Sequence, residues 1–265
     1  MIQSKLVKHK FSEDLNKKEL DYREMIQPQE DEFDDISKWI KRVNDGRRDI
    51  LSILYQFVEF KGEILELGAG SCWFGSELSI LESVNKVYCL DISEFILENV
   101  APYVMEHLQA NTEKIIRVIG DFNKLYFEDG KFDYVVLDAA LHHIPEDNLS
   151  KILKEVHRVL NINGKVVAIR EPFLSPIPLY KEYIRRTKGL HEKNYGVTEN
   201  TFTKKEWERM LSHAGFKCHF VPYGLQVNNT LNLKKLVKEF LKCSPLRIPF
   251  FYFFPPRYFI VLERV

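Results

Sequence analysis

The stretch Glu63-Ile64-Leu65-Glu66-Leu67-Gly68-Ala69-Gly70-Ser71-Cys72 runs an apolar segment into a two-glycine turn. Ile64, Leu65 and Leu67 supply the surface of a buried strand. Gly68 and Gly70 permit backbone angles closed to bulkier residues and let a ligand approach the main chain. A helix is expected from near Trp73, and the amides at its start favour a negative group such as a carboxylate. Strand, glycine turn and helix in this order form the nucleotide-cofactor corner of a doubly wound α/β domain. A dinucleotide fingerprint needs a third glycine three residues after Gly70, and Trp73 stands there. No lysine follows the glycines, so a P-loop is also excluded. Taken alone, the turn fits a plain strand-to-helix connection equally well.

The segments that follow repeat the same motif. Lys86–Leu90 reads as a second strand with Asp91 at its C-terminal end, about 20 residues past the turn, where a carboxylate can take both ribose hydroxyls. Asp91 can instead cap the helix that opens at Ser93 and Glu94, although Ser93 serves that cap equally well. A third strand, Lys114–Gly120, ends in Asp121-Phe122. A fourth, Phe132–Leu137, ends in Asp138-Ala139-Ala140, and a fifth, Lys165–Arg170, in Glu171-Pro172. Each strand therefore carries an acidic residue at or beside its tip. Open α/β sheets bind ligands at the carboxyl ends of their strands. Acidic groups gathered there suit a ligand with an amine, a ribose and a sulfonium.

Together these residues resemble the class I S-adenosylmethionine-dependent methyltransferases. Glu66-Leu67-Gly68-Ala69-Gly70 is similar to that family's first motif, and Asp91 to the acidic residue after its second strand. Gly120-Asp121-Phe122 resembles its adenine-binding motif. Phe132–Val136 followed by Leu141-His142-His143-Ile144-Pro145 resembles the fourth motif and its Leu-His-His continuation. Leu153–Leu160 with Asn163-Gly164-Lys165, and later Thr203–Trp207 with Ala214-Gly215-Phe216, resemble the elements around the fifth and sixth strands. One departure is Cys72, where many relatives carry a third small residue, often glycine. It reads as a small buried residue; the rival reading, a reactive thiol, lacks a neighbouring His or second Cys in the sequence.

The resemblance implies S-adenosylmethionine as cofactor and S-adenosylhomocysteine as product. It implies that Glu66 helps hold the amino group and that Gly68, Ala69 and Gly70 present main chain to the methionine end. Asp91 would take the ribose, with Ile92 packed on adenine. Asp121 would accept from the adenine amine and Phe122 donate through its main chain, while Asp138 and Ala139 would lie near the methyl-bearing end. No metal is expected, because the fourth and fifth tips lack a clustered carboxylate set. If the acceptor loses a proton, a positioned base speeds the reaction about 10²–10⁴-fold. Candidates are His143 first, then His142, with Glu171 and His191 behind them.

The implied fold is a seven-stranded, mostly parallel sheet with helices on both faces and an antiparallel last strand near Arg257–Arg264. Residues 1–60 form an N-terminal segment of cap helices or tail, with helical spacing at Ile36, Ile40 and Val43 and again at Ile50, Leu51, Leu54 and Phe57. Residues 61–265 form the methyltransferase domain. About 173–202 is an insertion that reads as an acceptor lid, and about 225–256 an additional segment. Helix Glu146–Leu160 carries an apolar stripe at Leu149, Ile152, Leu153, Val156, Val159 and Leu160, with His157 on its outer side.

With 38 basic and 38 acidic residues the chain is formally neutral, so a nucleic-acid partner is not expected, although a local basic patch is compatible with that balance. Four scattered cysteines fit a reducing cytosol, and no leader or membrane span is read. Residues 231–256 alternate leucines with lysines before a run of aromatics. They suit either a helix packed on the sheet or, less favoured, contact with a membrane surface. Nothing in the sequence sets an oligomeric state. The expected activity is methyl transfer to an O or N atom of a small-molecule acceptor. The alternatives are a protein or RNA acceptor, or a non-catalytic homologue that only binds the cofactor.

Overall fold

The structure is a computed structural model that describes residues 4–10, 21, 40–41, 47–187, 198, 200–225 and 256–265. The five expected strands form side by side: β2 (Gly62–Leu67), β3 (Val84–Asp91), β4 (Ile115–Ile119), β5 (Phe132–Asp138) and β6 (Leu160–Ile169). They order as β4-β3-β2-β5-β6 and all run parallel, so their carboxyl ends share one edge. β10 (Pro256–Arg264) is antiparallel to both β6 and β9 (Phe216–Leu225), in agreement with the expected last strand.

The sheet has eight strands, not seven. The addition is β1 (Lys5–Lys8), which pairs in parallel with β4 and so belongs to the sheet rather than to the N-terminal cap segment. It anchors Arg117, which is only 5% exposed: one guanidinium nitrogen donates to Ser4 O at 2.9 Å and the other to Leu97 O at 2.6 Å. Four residues on an outer edge, two half-buried between two exposed lysines, give no apolar run to read.

Alternate strand residues feed two apolar layers, as the period of two requires. Ile64, Val136 and Val167 face a layer built with α1 (Arg47–Leu54), α2 (Trp73–Ser79) and α3 (Ala101–His107). Leu65, Val135 and Val166 face the other, built with α4 (Glu146–Val159) and, after the insertion, α6 (Lys204–His213). Leu149, Ile152, Leu153, Val156 and Val159 of α4 are buried, as the stripe predicts, while Leu160 already begins β6. His157 is half-buried and meets Phe216 edge-on at 5.5 Å, so it packs rather than projecting outward.

The insertion after β6 is pinned at both ends. β7 (Phe173–Leu174) pairs in parallel with β8 (Phe202–Thr203), and α5 (Pro178–Thr187) lies between them in the chain. Thr203 then caps α6 in a reciprocal box with Glu206. Residues 226–255, including most of the leucine–lysine and aromatic segment, lie outside the described residues, as does His191.

Candidate active site

The glycine turn follows β2 with Gly68 at φ +71°, Gly70 at φ +49° and Cys72 at φ 57°. A Cβ on Gly68 would sit 2.9 Å from Ala140 Cβ, so the turn presses against the loop after β5, whereas a Cβ on Gly70 would meet nothing within 4 Å. The chain thus leaves open space at its second glycine. Ala69 is buried, and its N–H bonds back to Leu90 O at 3.0 Å. Cys72 begins α2 in the left-handed region, which explains why glycine suits that place; its thiol is fully buried and pushed up by burial, as an inert side chain would be.

Asp91 joins the second strand to this turn. Gly70 N–H donates to its Oδ2 at 2.8 Å and Ser93 N–H to its Oδ1 at 2.9 Å, with only 2% of the residue exposed. Ser93 Oγ accepts from Ile96 N–H at 3.3 Å, so the two residues share the helix start. Ile92 is half-buried beside them. At the next tip Asp121 Oδ1 accepts from Asn123 N–H at 2.8 Å, and the Phe122 ring reaches towards Gly68.

Glu66 lies behind the turn, 1% exposed. Its Oε2 accepts from Gly75 N–H at 2.9 Å and the Cys89 thiol lies beside the carboxyl, while Oε1 has no partner of hydrogen-bonding geometry. Burial pushes its carboxyl up to about 8, with Asp138 and Asp91 adding to the rise and Cys89 and Gly75 opposing it. Gly75 is needed here, since a Cβ would stand 2.5 Å from Cys89 Sγ and 2.7 Å from Glu66 Oε2.

The two remaining acids are engaged within the protein. Arg170 grips Asp138 through Nε and Nη2, the latter at 2.6 Å, and Trp73 Nε1 donates to the same carboxylate at 2.6 Å. Arg47 covers the Trp73 ring at 4.9 Å, which brings the start of α1 to this tip. Arg170 at φ 59° and Ala139 at φ 53° turn the chain sharply after β6 and β5. The turn at Arg170 aims Glu171 back at the neighbouring loop. There Glu171 accepts from the N–H groups of Ala140 (3.0 Å), Leu141 (3.0 Å) and His142 (3.2 Å) and from His142 Nδ1 at 2.8 Å. With both oxygens so occupied and 2% of the residue exposed, Glu171 orients the histidine loop instead of serving as a base in its own right.

His142 and His143 form a short 3₁₀ turn with Leu141, their rings 4.2 Å apart. His143 Nδ1 lies 3.1 Å from Thr198 O, which can only accept, so Nδ1 carries the proton and Nε2 is the basic nitrogen. His142 has the same tautomer enforced by a carboxylate. Asn200 N–H donates to His142 O at 2.9 Å and its side chain to Ile144 O at 2.7 Å. The returning end of the insertion therefore closes on the histidine loop. The Asp138–Arg170–Trp73 lock and the seat of Glu171 have no signal in local spacing, because the partners lie 29 to 65 residues apart.

Glycine turn, parallel strand tips and acidic rim define a doubly wound α/β domain with its candidate ligand edge at the carboxyl ends of the strands. Residues 65–168 match the family model described as "Methyltransferase domain". Over this stretch the chain is similar to that methyltransferase family. Demethylmenaquinone methyltransferase of Staphylococcus aureus (strain JH9) is 31% identical over 141 residues, a match that spans 48% of this chain and 56% of that protein. An S-adenosylmethionine-dependent methyltransferase from Mesorhizobium loti superposes with a TM-score of 0.56 at 19% identity, covering 83% of this chain and 99% of the other. One from Aquifex aeolicus gives 0.52 at 20% identity, covering 86% and 96%. The two structures share the fold. Among the described residues no helix is long and apolar enough to cross a membrane.

Proposed function

We propose that this chain transfers the methyl group of S-adenosylmethionine to an O or N atom of a small-molecule acceptor. The observation that carries the reading is the convergence of Glu66, Asp91, Asp121, Asp138 and Glu171 at one edge of five parallel neighbours. Three of these acids lie around the open glycine turn, and the residues present fit the cofactor. Glu66 keeps one buried oxygen without a partner for an amino group, Gly70 leaves open space beside the main chain of the turn, and Asp91 and Asp121 border the adenosine side. Ile92 and Phe122 would flank the base, and Asp138 with Ala139 the methyl-bearing end. When bound, the cofactor supplies an electrophilic methyl on a sulfonium.

The protein's share is alignment, exclusion of water and removal of the acceptor proton. Alignment of two reactants is worth roughly 7–11 kcal/mol when geometry is good. For the proton, both histidines present Nε2 as the base, and His142 stands ahead of His143 because a carboxylate, Glu171, instead of a carbonyl holds its Nδ1–H and stabilises the imidazolium that forms. Asp138, bound by Arg170 and Trp73, is a positioning residue. The insertion, tied to the histidine loop through Thr198 and Asn200, serves as the acceptor lid. The curated relatives are named for demethylmenaquinone, which supports a small-molecule acceptor here.

Label transfer from methyl-labelled S-adenosylmethionine to a panel of small hydroxyl and amine compounds tests the reading. Saturable labelling of a small molecule is expected. His142→Ala should lower turnover about 10²–10⁴-fold with cofactor affinity unchanged. Label appearing only in protein or RNA would overturn the acceptor class, and full turnover in His142→Ala would remove that base.

A further inference from the structure

A cleft of about 730 Å³ opens beside Asp121, and no residue of the histidine loop lines it. Lys10, just beyond β1, Lys124 from the loop after β4, and Lys151 and Lys154 on one face of α4 surround it. Leu125, Tyr126 and Phe127 supply an apolar and aromatic wall, with Tyr126 45% exposed. In a chain with no net charge, this one cleft gathers five cations against two carboxylates.

The fifth cation is already neutralised. Arg158 binds Glu155 at 2.9 Å and 3.0 Å and donates to Leu125 O and Phe127 O, so it serves to fasten the loop to α4. Lys124 lies near enough to Glu155 to help hold its carboxyl down, and none of the four lysines forms a salt bridge with a carboxylate among the described residues. Lys124 is placed over the Tyr126 ring at 4.9 Å. Lys151 and Lys154 are three residues apart on one helix, a spacing at which like charges repel. An anion in the cleft would relieve that repulsion. Lysines recognise phosphate as point charges, and an exposed aromatic wall suits a flat ring. A volume of this size falls in the range of small-ligand sites, roughly 300–1,000 Å³.

We propose that this cleft binds a nucleoside polyphosphate, with the phosphates among the four lysines and the ring against Tyr126 and Phe127. None of the lysines is among the residues proposed to hold the methyl donor, so the site stands apart from the methyl-transfer reading. Asp121 borders both sites, and occupancy of one is expected to alter affinity at the other.

Calorimetric titration of the full chain with ATP, tripolyphosphate and adenosine tests the inference, with S-adenosylhomocysteine present at saturation. One saturable site is expected for ATP, weaker for tripolyphosphate and weakest for adenosine. The K151E/K154E double variant should bind ATP about tenfold more weakly or worse, with unchanged circular dichroism, and the effect should shrink as salt rises. K151R/K154R should retain binding. No saturable uptake of ATP, equal affinity in K151E/K154E, or complete, mutually exclusive displacement of ATP by S-adenosylhomocysteine would overturn the site, whereas a bounded change in affinity is the coupling expected through Asp121. Uptake of single-stranded RNA or anionic vesicles without ATP binding would overturn it as well.

Discussion

Glu66 couples the fold to its ligand through a proton. Its carboxyl sits near 8 because burial disfavours the charged form. At neutral pH it is therefore mostly protonated in the free protein. An ammonium group placed at its free oxygen favours the ionised form, so binding should release close to one proton below about pH 8. By linkage, affinity for S-adenosylhomocysteine should rise with pH up to that point and level off above it. Calorimetry in buffers of different ionisation enthalpy reads the proton directly, and Glu66→Gln should abolish the release. The acidic identity of this position was legible in the sequence from its place before the glycines. Its unpaired oxygen and its neighbour Cys89 were not, because burial depends on the strand stacked alongside. The same holds for Arg170: nothing in its flanks signals a left-handed backbone that throws its guanidinium onto Asp138.

Among the elements, the insertion and α6 depend on one carboxylate. Burial works to raise Glu206, but Lys181 at 2.5 Å and the Thr203 backbone and hydroxyl outweigh it and bring the carboxyl down to about 2. A folded value below the unfolded one means the stabilisation is complete above about pH 4.5 and is lost as pH falls towards 2. Thermal melts across that window should show a steep fall in the native chain and a shallower one in Glu206→Gln. The variant should also be less stable at neutral pH by about 0.5–2 kcal/mol, the usual cost of a lost cap. Helices α4 and α6 could be read from apolar periodicity and from the Thr203-x-x-Glu206 box. The β7–β8 pair could not, since two-residue strands carry no period. Their pairing depends on Phe173 and Phe202 reaching the same buried layer from opposite ends of the insertion.

Across the full sheet, parallel order makes the site: β4, β3, β2, β5 and β6 deliver their acids to one edge only because every crossover returns the chain in the same direction. The repeated strand-then-acid pattern exposed this order in advance. The edge strand β1 escaped it, because it is short and half-exposed and is fixed only by long-range partners, its ladder with β4 and the Arg117 guanidinium. Removing residues 1–10 should leave that buried guanidinium without the Ser4 acceptor. A loss of about 1–3 kcal/mol is expected from that group alone, visible as a lower urea midpoint with the remaining sheet intact by circular dichroism. The adenosine side should weaken with it, since His9 packs on Phe127 at 5.1 Å beside Asp121. Everything proposed for the chemistry rests on that edge holding an adenosyl ligand. Titration with S-adenosylhomocysteine, followed by calorimetry in the native chain and in Asp91→Ala, decides it. One saturable site, weakened at least about tenfold in the folded variant, is the expected result. A correctly folded native chain that takes up none of the compound, or an Asp91→Ala chain that binds it equally well, would contradict the site as drawn.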